Sequence, residues 1–198
     1  MEPEIFKRRA FLLWVIASAA GGGLGFIPSS AFGSYFDTRG YLFDDIQLPW
    51  PVGFQLIGVG VAIGFLQWLV LRRWVKQSFG WVIATAACWS LVFIGVNPNP
   101  FSRPVVLLVF GFLIGLFQWF VLRRWTRRAG WWIPINAASW WIAYIVGALV
   151  SELLFGGFDV VFGSVMGGVA GAMTGLVLIW VVRPPSPDLA IAVSSSTL

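Results

Sequence analysis

Six apolar stretches, at about 10–27, 51–71, 79–96, 104–122, 131–150 and 160–182, constrain this chain more than any other feature. An α-helix rises 1.5 Å per residue, so about 20 apolar residues cross a hydrocarbon core about 30 Å thick. Each stretch meets or nearly meets that length, the third being the shortest. A chain that is 59% hydrophobic and 11% charged, with a mean hydropathy of +0.85, lies far from the composition of a soluble domain. The expected fold is all-α and integral to a membrane: one six-helix transmembrane domain over 1–183, then a flexible cytoplasmic tail over 184–198 whose Pro and Ser content argues against another span.

Internal repetition refines that expectation. GFLQWLVLRRW at 64–74 returns as GLFQWFVLRRW at 115–125, with eight of eleven positions identical, and a worn copy, GAMTGLVLIWVVR, begins at Gly171. A second element, WVIASAA from Trp14, is matched by WVIATAACW from Trp81 and more faintly by WIPINAASW from Trp132. The chain therefore reads as three A-B hairpins, each an Ala-rich helix followed by a Gly-rich one, over about 10–72, 79–123 and 131–183. Two spans per repeat make the repeats parallel, which predicts a pseudo-threefold bundle. The basic start at Lys7-Arg8-Arg9 and the small residues Ala17-Ser18-Ala19 resemble a cleavable signal peptide, but a segment whose motif recurs in mid-chain is expected to be a retained helix.

Charge sets the orientation. Lys7, Arg8, Arg9, Arg72, Arg73, Lys76, Arg123, Arg124, Arg127, Arg128 and Arg183 fall on one side of a six-span arrangement, leaving Arg39 and Arg103 on the other. The positive side is expected to be cytoplasmic, with both termini inside, in a bacterial inner or thylakoid membrane. The net charge of +5 is grouped beside apolar runs, which fits lipid headgroups and gives no reason to expect nucleic acid. The longest outer loop, 28–50, mixes aromatic and acidic residues and suits an interfacial segment, a partner surface or a packed lid.

The QW-x-V-L-R-R element followed by a Trp-initiated, Ala-rich span, over about 58–141, resembles repeats of uncharacterised polytopic membrane proteins of cyanobacterial type. That resemblance implies a fold and no activity. Three two-helix repeats are similar in outline to the mitochondrial carriers, but the Pro-x-[Asp/Glu]-x-x-[Lys/Arg] motif of that family is missing and the repeats are much shorter.

A few positions could carry function. Gly60, Gly64, Gln67 and Leu71 share one helix face, as do Gly111, Gly115, Gln118 and Leu122, and Gly167, Gly171, Thr174 and Leu178. Small residues spaced by four let helices approach closely, so the six glycines are expected at helix contacts. If the B helices meet at the centre, Gln67, Gln118 and Thr174 form a polar layer: interhelical hydrogen-bond glue on one reading, a pore or ligand site on the other. Arg72, Arg73 and Trp74, with Arg123, Arg124 and Trp125, suit lipid headgroups or a partner protein. Trp81, Trp131, Trp132, Trp140 and Trp141 read in part as membrane-end anchors, and 13 tryptophans leave room for stacking on a pigment or quinone.

Catalysis is not expected. With no histidine, one cysteine (Cys88) and Glu152 and Asp159 read as loop residues, the chain offers neither a recognisable proton carrier with its partners nor a metal-ligand set. The leading expectation is a non-enzymatic structural or accessory subunit packed against lipids, other membrane proteins or its own copies. A small permease for a neutral solute is the alternative, and a pigment- or quinone-binding accessory subunit of a photosynthetic or respiratory complex a weaker one. Lipid is the expected ligand, with no evident cofactor.

Overall fold

The computed structural model describes residues 3–32, 41–43, 46–73, 75, 78–95, 103–155 and 160–181. Among the described residues six α-helices follow one another: α1 (Pro3–Phe32), α2 (Trp50–Leu71), α3 (Gly80–Gly95), α4 (Arg103–Leu122), α5 (Trp132–Phe155) and α6 (Val160–Val181). Four are long and apolar enough to cross a membrane, over Arg8–Ile27, Val105–Leu122, Arg127–Leu154 and Val160–Val181. The other two contribute shorter apolar helices among the described residues, Ile57–Leu71 and Gly80–Leu91. The protein is thus a helical bundle of membrane-protein character. Gly and β-branched residues are poor helix formers in water, but in lipid every backbone polar group must be satisfied within the segment, and the helix does so.

Helix starts follow local chemistry. Pro51, Pro104 and Pro134 lie in the first turns of α2, α4 and α5, where a missing N–H costs no intrahelical bond. A 3-10 turn, Arg127–Trp131, leads into α5 and is capped by Thr126, whose hydroxyl accepts from the Arg128 N–H at 3.2 Å. Three ends differ from the sequence reading, the first being the start of α1 at Pro3 and not near residue 10. The first helix passes Pro28 and runs to Phe32, and α5 continues beyond Val150 to Phe155, so that Glu152 is an exposed helical residue and not a loop residue. A further departure from an all-α fold lies in the first long connection, where β1 (Tyr41–Phe43) and β2 (Ile46–Pro49) pair as a small antiparallel hairpin. Trp74, Asp159 and the tail over 184–198 lie outside the described residues.

The helices form a closed ring. Each packs on its neighbours in sequence and α6 closes on α1, the sparsest contact being α3 with α4. Neighbours run antiparallel: Gly60 meets Ala86 and Trp89 while Gly64 meets Val82 and Thr85. Gly111 and Gly115 meet Ala137 and Ile133 in the same sense. Gly167 and Gly171 meet Ser18–Ala19 and Val15–Ser18. The glycine faces of α2, α4 and α6 therefore press on the next helix round the ring, not on one another at the centre. There a Cβ on Gly111 would stand 2.7 Å from the Ala137 Cα, and one on Gly167 would strike the Ser18 carbonyl. Helix α1 is held from both sides, since Gly21 and Gly25 face Ile63 and Val59 of α2 while Gly22 abuts Gly163 of α6.

Side chains fill the interior in two tiers. One contains Trp14, Trp81, Trp132, Leu71, Leu122 and Leu178; the other contains Trp89, Trp140, Phe110, Phe162, Met166 and Cys88.

Candidate functional site: a tryptophan triad in a polar belt

Trp14, Trp81 and Trp132 each begin the recurring motif of α1, α3 and α5, and all three are fully buried. Their rings meet edge to face, with centroids 5.7 Å apart for Trp14 and Trp81, 5.5 Å for Trp81 and Trp132, and 6.2 Å for Trp14 and Trp132. Such T-shaped pairs set the positive ring edge on the negative ring face, worth about 0.5–1.5 kcal/mol each beyond area burial. The three indoles together occupy the centre of the ring of helices.

An indole N–H can only donate, so each needs an acceptor from another helix. Trp81 Nε1 donates to Gln67 Oε1 at 3.0 Å, Trp132 Nε1 to Gln118 Oε1 at 2.9 Å, and Trp14 Nε1 to Thr174 Oγ1 at 3.0 Å. Each amide then passes the polarity on. Gln67 Nε2 donates to Ser18 Oγ and Gln118 Nε2 to Thr85 Oγ1, both at 2.9 Å. The hydroxyls end the chains on backbone carbonyls one turn back, Ser18 on Trp14, Thr85 on Trp81 and Thr174 on Ala170, at 2.7–2.8 Å. Donor-only indoles at one end and committed hydroxyls at the other leave one workable orientation for both amides.

Five interhelical hydrogen bonds thus stitch α6 to α1, α1 to α2, α2 to α3, α3 to α4 and α4 to α5. At about 0.6 kcal/mol for an average bond of this kind in a membrane, the belt contributes about 3 kcal/mol. Between α5 and α6 the pattern changes. Thr174 stands where the other repeats have glutamine, and Asn136 stands where they have Ser18 and Thr85. The Asn136 amide turns back to the Trp132 carbonyl at 2.9 Å.

Gln67, Gln118 and Thr174 are therefore all buried, at 6%, 3% and 4% exposure, and joined through the indoles. The sequence reading did not place Trp14, Ser18 and Thr85 as their partners, nor Asn136 beside them in the repeat. The signal was present, since each recurring tryptophan is followed four residues later by a polar residue, one turn along the same face. Trp81, Trp132 and Trp140, read as end anchors, are core residues, whereas Trp131 is 61% exposed. A tryptophan at the end of an apolar run looks interfacial until its partner on the neighbouring helix is known.

The arginine pairs close the belt's end of the bundle. Arg72, Arg73, Arg123 and Arg124 are exposed, as is Trp125. The guanidinium of Arg72 lies 5.2 Å from the Trp68 ring centre, Arg123 lies 5.0 Å from Trp119, and Arg128 lies 4.9 Å from Trp180. An aromatic face holds each cation at the surface with its N–H fork still able to meet an anion. Among the described residues no group of three His, Cys, Asp or Glu side chains comes together that could hold a metal.

No protein family, curated protein or solved structure matches the chain at a significant level.

Proposed function

We propose that this chain is a six-span integral membrane protein of three parallel two-helix repeats, with cytoplasmic termini, that serves without catalysis as a structural or accessory subunit. Its partners are lipids and other membrane proteins or further copies of itself. One observation carries this reading: the axis that a pore would need is occupied by the Trp14, Trp81 and Trp132 indoles, each hydrogen-bonded to the layer a permeant molecule would have to use. The polar layer then acts as glue. Apolar side chains such as Ile83, Val105 and Leu153, at 62%, 62% and 80% exposure, are left to face lipid or a neighbour.

The native mass of the tagged protein, extracted in mild detergent from its own membranes, tests the proposal. A defined larger complex with reproducible co-purifying subunits is the expected result. A bare bundle that carries a neutral solute across liposomes would overturn it. A Gln67→Cys variant is expected to stay inert to small thiol reagents from either side of the membrane while folded.

A further inference from the structure

The second interior tier repeats the tryptophans of the first without repeating their partners. Trp89 and Trp140 lie eight residues beyond Trp81 and Trp132 on the same helices, so they stand on the same faces about 12 Å further along. Both are 4% exposed, and their rings meet at 5.4 Å and 84° with Phe110 packed against each. Where the lower tier presents glutamine from the preceding helix, this tier presents glycine: Trp89 lies against Gly60. Neither indole N–H has a hydrogen-bond partner among the described residues, and the Ser139 hydroxyl beside Trp140, fully buried, has none either.

Donors withdrawn from water without an acceptor are costly, and native interiors leave few of them. Two indoles at equivalent positions of two repeats share this state within one core cluster. The chemistry that would suit these donors is narrow. It must accept hydrogen bonds, and it carries no charge, because no charged side chain is buried among the described residues to balance one. It must also be small, since Trp89, Phe110 and Trp140 already touch one another.

We infer that this tier binds an uncharged oxygen acceptor on the indole N–H groups of Trp89 and Trp140, supplied by water or by a carbonyl group. Water fits most simply, since a buried water takes two to four polar partners and the two indoles supply donors. A carbonyl would come from a membrane-soluble molecule, and Trp89 and Phe110 stand on α3 and α4, the neighbouring pair that packs most sparsely.

The test is the indole region of the ¹⁵N NMR spectrum of the full-length protein in lipid nanodiscs, with W89F and W140F assigning the two signals. Each indole proton is expected to show a cross-peak to water, lost in its own variant, while those of Trp81 and Trp132, bonded to glutamine, show none. Cross-peaks to a non-protein molecule that organic solvent extracts would support the same site with a carbonyl ligand. Indole protons at free-donor shifts with neither cross-peak would overturn the inference. If a phenylalanine variant fails to fold, an electron-density map of the wild-type protein decides. A peak about 3 Å from either Nε1 supports the site, and its absence at both removes it.

Discussion

Gln67 and Gln118 fit their positions because an amide offers both kinds of hydrogen-bonding group at once. Leucine in their place keeps the volume and strands a tryptophan donor on one side and a hydroxyl acceptor on the other. Gln118→Leu is expected to destabilise the bundle by about 1–3 kcal/mol, read as a lower SDS midpoint for unfolding. Asparagine at the same site is one methylene too short to span both partners and should recover only part of the loss. The third repeat provides the opposite experiment. Thr174→Gln combined with Asn136→Ser writes the pattern of the first two repeats between α5 and α6, and is expected to gain up to about 1.7 kcal/mol. Thr174→Gln alone should lose stability, because the longer amide must fit against an Asn136 side chain larger than the Ser18 and Thr85 that the other glutamines meet. A double-mutant cycle on SDS unfolding separates the two contributions.

At the scale of helices, glycine spacing sets which faces meet. A Cβ on Gly167 would run into the Ser18 carbonyl, whereas one on Gly168 would meet only the Ala19 Cβ at an ordinary 3.5 Å. Gly168→Ala is expected to be neutral or to stabilise by up to about 1 kcal/mol through helix propensity. Gly167→Ala should force α6 from α1 and lower the unfolding midpoint clearly, and the two variants differ by one residue in register. Much of the helix layout was legible in the sequence: the apolar runs placed α2, α3, α4 and α6 to within a residue or two, and the repeats pointed to Gln67 and Gln118. The neighbour of each glycine face was not legible. Periodicity fixes which residues share a face, but Gly60 and Gly111 carry no mark saying that they press on Ala86 and Ala137 instead of on each other. Nor does the letter W distinguish buried Trp132 from exposed Trp131; only the recurrence of the first at a fixed place in the repeat does so.

For the whole molecule, the ring is unevenly closed. The α3–α4 contact is the sparsest, and the Gln118–Thr85 bond crosses it. Cys88, the one cysteine, lies on α3 at 1% exposure. It is expected to resist maleimide in the folded protein and to react fully in SDS, which makes it a native reporter. Gln118→Leu should raise its labelling rate before global unfolding, whereas Thr174→Val, which acts between α6 and α1, should raise it only with global unfolding; equal rates in the two variants would show that the seam has no special weakness.

Because α6 meets α1 as α2 meets α3 and α4 meets α5, the order in which the chain visits the helices is a convention of its synthesis, and the packing has no first or last member. A circular permutant that joins the present termini through a flexible linker and opens between α3 and α4 would keep every glycine contact and every bond of the belt. Its new ends would fall at the sparsest join of the ring, on the side opposite the present ends, and once inserted the permutant is expected to close into the same bundle.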